Sequence, residues 1–283
     1  MIVAKNLSEL KLSIDSAKAK NQKIGFVPTM GYLHQGHISL VEEAKRESGF
    51  VVMSIFVNPK QFNDPNDFLK YPVDLDGDLN KCKQAGVDLV FYPSTDDLYP
   101  STGFELVMTL PLLQKNLCGR TRPGHFEGVM LIVSKLFHLV QPDLAYFGQK
   151  DFQQFRIIQE MVRILNFPIE VKGIETLREA DGLAMSSRNV RLSPKEREVA
   201  SMIPRMFSLV EKLVKGGERK VSSLREIVSE FFLSESMIKI DYIEFVDPLQ
   251  LQELDELKDN SLLAIAIFVG QTRLIDNRLL RIS

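Results

Sequence analysis

Cysteine is scarce, with Cys82 and Cys118 standing far apart as the 2 thiols of the 283-residue chain. A disulfide framework or a zinc site needs more numerous or closer partners, so both read as reduced structural thiols. No sign of charge dominates. The 35 basic and 37 acidic side chains leave a formal net charge of -2, which argues against a global field aimed at nucleic acid or an anionic membrane. Anions must be held here by local groups. Long apolar runs are also missing. The longest, residues 262–270, suits a buried strand and falls well short of a membrane span. Residues 1–20 carry no apolar leader core, so a cytoplasmic location is expected by default. The G-x-G-x-x-G fingerprint of dinucleotide enzymes is absent. Gly31 and Gly36 have Walker A spacing, but His37-Ile38 replaces the Lys-Ser/Thr pair, so P-loop chemistry is disfavoured.

What is present is an alternation. A hydrophobic content of 45% allows a sizeable core. Apolar, β-branched segments at 24–30, 50–58, 87–92, 144–147 and 169–174 read as strands. Helical spacing separates them at 36–46, 79–85, 128–140 and 152–165. Strands buried on both faces, each followed by a helix, require a parallel sheet with crossovers. The expected fold over residues 1–175 is therefore α/β, a doubly wound parallel sheet with ligands at the carboxyl ends of its strands.

Residues 176–283 read as a smaller α+β domain. Ser193-Pro194-Lys195-Glu196 is a capping-box start. Val199, Met202, Ile203, Met206, Val210 and Leu213 continue as one apolar face, and Gly216-Gly217 stops the helix. A second helix at 222–233 and strands at 239–246 and 262–269 complete this reading.

Four segments carry chemistry, all lying just after predicted strands, and an acidic run follows the second of them. Pro28-Thr29-Met30-Gly31-Tyr32-Leu33-His34-Gln35-Gly36-His37 opens the first helix, where unpaired N–H groups and the helix dipole favour phosphate. Its two imidazoles can donate to phosphate oxygens. His-x-x-His could also bind a metal, although no acidic partner stands in a metalloprotease pattern. Asn58-Pro59-Lys60-Gln61-Phe62-Asn63 offers amides for hydroxyl and carboxylate groups, or is simply a capped turn. The acidic run from Asp74 to Asp78 is either a solvated helix start or a neighbour of Mg²⁺. Phe147-Gly148-Gln149-Lys150-Asp151-Phe152-Gln153-Gln154 puts a lysine where charge shifting on a phosphate could be neutralised. Arg178 to Asn189 contains Met185-Ser186-Ser187-Arg188, two hydroxyls and a guanidinium that could grip phosphate as a mobile clamp.

Together, in order and with matching spacing, the PTMGxLHxGH, VNPxQF, FGxKDxQQ and ADGLAMSSRN segments resemble the pantothenate synthetase (pantoate–β-alanine ligase) family. The resemblance spans nearly the whole chain, though the last hundred residues match mainly in length and pattern. It implies a Rossmann-like nucleotide-binding domain, a smaller C-terminal domain covering the site, and a homodimer. It further implies that pantoate and ATP form a pantoyl-adenylate and pyrophosphate, and that β-alanine then takes the acyl group, releasing AMP.

By position, the resemblance places Met30, Gly31, Tyr32, Leu33, His34, Gln35, Gly36 and His37 at ATP, with His34 and His37 at its phosphates. Gly148, Gln149, Lys150 and Asp151 would bind the nucleotide, Lys150 on the phosphates. Leu177, standing where the family often has valine, would complete the ATP site with Met185, Ser186, Ser187 and Arg188. Gln61 and Gln154 would hold pantoate, Gln61 lying near β-alanine as well, and Asp78 would lie near Mg²⁺. The Cys118–His125 stretch also looks family-like but receives no role. A related nucleotidyltransferase would share the HxGH logic without needing the two glutamine turns, and a non-catalytic sensor would bind ATP without releasing pyrophosphate. A tRNA-charging enzyme is disfavoured by the missing basic surface.

Overall fold

The computed structural model describes residues 1–100 and 103–282. The chain divides into two compact units, one formed by Met1–Thr109, Pro123–Gln149 and Gln154–Glu175, the other by Leu110–Arg122, Lys150–Gln153 and Thr176–Ser283. Among the described residues no helix is long and apolar enough to cross a membrane.

The first unit holds a six-stranded sheet. Its strands are β1 (Ile2–Ala4), β2 (Ile24–Thr29), β3 (Phe50–Ile55), β4 (Leu89–Phe91), β5 (Leu144–Gly148) and β6 (Glu170–Ile174). They lie in the order β1-β4-β3-β2-β5-β6, and every ladder is parallel. The main helices are α1 (Leu7–Ala19), α2 (Gln35–Glu47), α3 (Leu75–Gln84), α4 (His125–Val140) and α5 (Phe152–Ile164). Parallel neighbours need crossovers, and these helices supply them. The central strands are closed to water: Val51, Val52, Met53, Leu89, Val90 and Phe91 are all 0% exposed. On one face Val27, Val51, Met53 and Tyr146 pack with Leu40, Val41 and Ala44 of α2 and with Cys82 of α3.

Two elements here lie outside the sequence reading. Strand β1 is 3 residues long, too short to show a period, and is recruited by pairing with β4. Helix α1 is nonetheless capped by Asn6, whose side chain accepts from the Glu9 N–H.

The sheet reverses direction at β2. From there the chain steps through β3 and β4 to one side, and through β5 and β6 to the other. The β2–β5 ladder runs over Gly25–Leu144 and Phe26–Ala145, whereas β2 stays paired with β3 as far as Thr29–Ile55. The carboxyl ends of β2 and β5 therefore part. Such a switch point is where doubly wound sheets form their ligand crevice.

The second unit packs α6 (Pro194–Ala200), α7 (Met202–Lys215) and α8 (Val221–Leu233) with an antiparallel sheet of β7 (Ile238–Val246), β8 (Ser261–Val269) and β9 (Thr272–Leu280). The helix predicted from Ser193 onward is broken in two. Pro204 has no N–H to offer the carbonyl four residues back, and its ring crowds that carbonyl, so α6 ends at Ala200. Strand β8 is the central one and almost wholly apolar, with Leu262, Leu263, Ile265, Ala266 and Ile267 at 0% exposure. Strand β9 is absent from the sequence reading, because Arg273, Asp276, Asn277 and Arg278 interrupt its apolar alternation.

Candidate active site

Between β2 and α2 the chain turns through Gly31 (φ 81°) and Tyr32 (φ 51°). Glycine enters the left-handed region freely, but tyrosine must be held there. Asp78 of α3 holds it. Its Oδ2 accepts the Tyr32 N–H at 2.7 Å and its Oδ1 accepts the Leu33 N–H at 2.7 Å. One turn on, Lys81 Nζ donates to the Leu33 carbonyl at 2.8 Å. Asp78 is 1% exposed. Burial pushes its carboxyl pKa up, and the bonds from Leu33 and Tyr32 oppose that rise.

Asp78, expected near Mg²⁺, anchors the turn here, each of its oxygens accepting one backbone N–H. Among the described residues no group of three His, Cys, Asp or Glu side chains could hold a metal ion.

The turn delivers the chain to α2 with His34 at the N-cap. The Gly36 N–H donates to His34 Nδ1 at 3.1 Å, and the His34 N–H donates to His37 Nδ1 at 3.2 Å. This is a capping box built from two imidazoles, with ring centroids 4.1 Å apart. Because each Nδ1 accepts, the tautomer assigned from these bonds carries its proton on Nε2. Both rings therefore present an N–H donor on the side away from the backbone. No acidic residue lies in the first turn of α2, so nothing there offsets its attraction for anions.

After β3, Asn58 starts a single helical turn, Pro59–Gln61, and accepts the Lys60 N–H on its Oδ1 at 3.3 Å. The capped-turn reading is thus right, and the turn does more. Asn58 is 1% exposed, and its Nδ2 donates to the Gly128 carbonyl and to Gln61 Oε1, each at 3.0 Å. The Tyr99 hydroxyl donates to Asn58 Oδ1 at 2.8 Å. Two backbone groups, one donor and one acceptor, thereby determine which way the Asn58 amide faces. Asn58 in turn determines Gln61: its Oε1 faces inward, and its Nε2 reaches Met30 Sδ at 3.2 Å. A thioether is a weak acceptor, so this amide is poised to donate to a better one such as a carboxylate oxygen. His125 Nδ1 lies 2.7 Å from the Gln61 carbonyl and donates to it. Helix α4 comes this close because residue 128 is glycine: a Cβ there would stand 2.2 Å from the Lys60 carbonyl oxygen.

Strand β5 ends at Gly148, beside the end of β2 in the sheet order, and Gln149–Asp151 form one turn before α5. Of the adjacent glutamines, Gln153 is buried and structural. Its Nε2 donates to the Leu113 and Asn116 carbonyls at 2.8 and 2.9 Å. Gln154, the predicted contact, is half-buried.

In the second unit, Lys150 Nζ lies 3.9 Å from Asp151 Oδ2, a loose pair. The 177–188 segment is a tight hairpin. The Met185 N–H donates to the Leu177 carbonyl at 3.0 Å, and the Glu179 N–H to the Leu183 carbonyl at 2.8 Å. Arg197 clamps its tip, reaching Glu179 Oε2 and Asp181 Oδ2 at 2.6 Å each. Where the hairpin ends, Ser186 caps the turn Ser187–Arg191 by accepting the Arg188 N–H at 3.2 Å.

Asn58, Tyr99 and His125 were given no assigned role by sequence reasoning. Asn-Pro is a legible cap signal for Asn58, but nothing local marks the other two.

Comparison with known proteins identifies the family. The family model described as pantoate-beta-alanine ligase matches residues 2–279. The pantothenate synthetase of Leptospira biflexa is 54% identical over 280 residues, 99% of either chain. The crystal structure of pantothenate synthetase from Thermus thermophilus superposes with a TM-score of 0.93 at 40% identity, covering 99% of both chains. Pantoate-beta-alanine ligase from Francisella tularensis, complexed with beta-gamma ATP and beta-alanine, gives a TM-score of 0.82 at 35% identity over 99% of this chain and 97% of that one. Matched along almost its whole length by family, relatives and structures alike, the chain belongs to the pantoate-beta-alanine ligase family.

Proposed function

We propose that the protein condenses pantoate with β-alanine at the expense of ATP, giving pantothenate, AMP and pyrophosphate. The observation that carries this reading is the His34–His37 capping box, in which both Nδ1 atoms accept and each imidazole carries its N–H on Nε2 at the start of α2. In the first step a pantoate carboxylate oxygen attacks the α-phosphorus, and the bond to the bridging oxygen of pyrophosphate breaks. In the second the β-alanine nitrogen attacks the acyl carbon, the bond to AMP breaks, and the amine loses a proton. Both nucleophiles belong to the substrates, so the protein's work is alignment, charge stabilisation and exclusion of water.

The His34 and His37 Nε2–H groups and the N-terminus of α2 receive the phosphates, with residues 30–37 forming this part of the ATP site. Gly148, Gln149, Lys150, Asp151 and Leu177 bind the nucleotide, with Lys150 on its phosphates. Met185, Ser186, Ser187 and Arg188 add hydroxyl and guanidinium donors. Gln61 and Gln154 hold pantoate, and Gln61 adjoins β-alanine. Mg²⁺ enters as the counter-ion of ATP, as part of the substrate. The reading carries with it a homodimer acting in the cytoplasm, and sedimentation equilibrium tests the assembly.

The deciding experiment measures pyrophosphate release from Mg·ATP with pantoate, then products after adding β-alanine. Pantoate-dependent pyrophosphate followed by equal amounts of AMP and pantothenate is expected. Folded protein that binds ATP yet stays silent with pantoate would overturn the substrate assignment.

A further inference from the structure

Beyond Arg188 the sequence reading placed no site residue, yet β9 reaches two of the segments assigned to ATP. Asp276 takes an inward position on β9, and its side chain is 0% exposed. It grips Arg178 bidentately, with Nη1 to Oδ2 at 2.7 Å and Nη2 to Oδ1 at 3.1 Å. Arg178 stands in the hairpin that leads to Met185 and Arg188, and its Nη1 also donates to the Gly182 carbonyl at 3.0 Å. The next residue, Asn277, donates its Nδ2 to the Lys150 carbonyl at 2.8 Å. The two are tied to each other as well, because the Asn277 N–H donates to Asp276 Oδ1 at 2.8 Å.

One pair of neighbouring residues on a paired strand thus holds the backbone of Lys150 and the root of the 177–188 hairpin. Arg197 ties the hairpin tip to α6 but does not reach Lys150 through any of these bonds. We propose that Asp276 and Asn277 are positioning residues that set the Lys150 ammonium in register with the Met185–Arg188 segment for the β- and γ-phosphates of ATP. The inference rests on the nucleotide roles given above. A planar, bidentate ion pair suits the task, since it restrains direction as well as distance. Lysine carries its charge on a flexible stem, so a displaced backbone moves that charge off its phosphate.

The test compares Mg·ATP and AMP binding to the full chain by calorimetry, with pantoate-dependent pyrophosphate release assayed in parallel. Asn277→Ala removes the side-chain bond to the Lys150 carbonyl from a half-buried residue and is expected to melt near the wild type. Its Kd for Mg·ATP is expected to rise about 3- to 10-fold, the range for one lost hydrogen bond, while its Kd for AMP and its KM for pantoate stay unchanged. Asp276→Asn is expected to weaken Mg·ATP further, and if it does not fold, Asn277→Ala alone decides. An unchanged ratio of ATP to AMP affinity would overturn the positioning role. Wild-type protein that binds Mg·ATP but releases no pantoate-dependent pyrophosphate would sink the functional reading and leave the binding comparison intact.

Discussion

The side-chain amide of Asn58 donates to the side-chain carbonyl of Gln61 at 3.0 Å, and this one bond decides which end of Gln61 is offered as a donor. Asn58→Asp replaces that donor with a carboxylate facing both Gln61 Oε1 and the Gly128 carbonyl. Gln61 is then expected to turn its amide round and present an acceptor to an anionic substrate. The predicted outcome is a KM for pantoate raised at least about 10-fold, the value of one charge-assisted bond, with the KM for ATP held. Steady-state kinetics in each substrate check it. Equal changes in both constants would remove the orienting role.

The anchoring of Tyr32 and Leu33 by Asp78 predicts a result that a metal ligand would not give. Asp78→Ala leaves two N–H groups without their acceptor, at a cost of about 1–3 kcal/mol for each that stays buried, and frees the turn before α2. Activity is expected to fall sharply, and added Mg²⁺ is not expected to restore it. A magnesium titration of wild type and variant decides: recovery at high Mg²⁺ would return Asp78 to the metal.

The capping role of the histidines can be separated from the proposed phosphate role. Asparagine is a good N-cap, so His34→Asn is expected to keep the melting temperature while losing its Nε2 donor. His37→Ala is expected to lose on the order of 3 kcal/mol of transition-state stabilisation, the value of one such donor. That amounts to roughly a hundredfold in pyrophosphate release. Near wild-type turnover in both would contradict the phosphate assignment.

Cys82 makes a prediction about pH. It is 0% exposed, and desolvation is the main cause that pushes its thiol from the ordinary 9.0 up to about 12. A raised folded pKa means that the protonated form favours the fold. Its contribution is complete below pH 9 and is lost as the pH climbs towards 12. Native protein at pH 8.5 is therefore expected to leave Cys82 unlabelled by iodoacetamide, as read by mass spectrometry, and denatured protein to label it fully. Cys82→Ala is expected to make stability fall less steeply between pH 9 and 11 in urea titrations.

The elements that the chain announces in advance are those whose cause is local. The strands β2, β3 and β5, the capping box at Ser193, and the 30–37 segment each depend on residues within a few positions of one another. Helix α6 stopping at Ala200 was equally local and could have been read from Pro204. Strand β1 could not, since 3 residues show no period and pair only because β4 lies alongside.

The sequence alone determined that this is an α/β chain with groups suited to phosphate at strand ends, because helix starts, glycine turns and apolar runs are short-range physics. Only tertiary structure decided how those groups are aimed. Asp78 meets Leu33 across 45 positions, Asn58 meets Gly128 across 70, Arg178 meets Asp276 across 98 and Asn277 meets Lys150 across 127. Each of these bonds joins a buried or half-buried polar group to its partner. Burial makes an unmet donor costly, so the fold must supply the partner, and no stretch of sequence names it in advance.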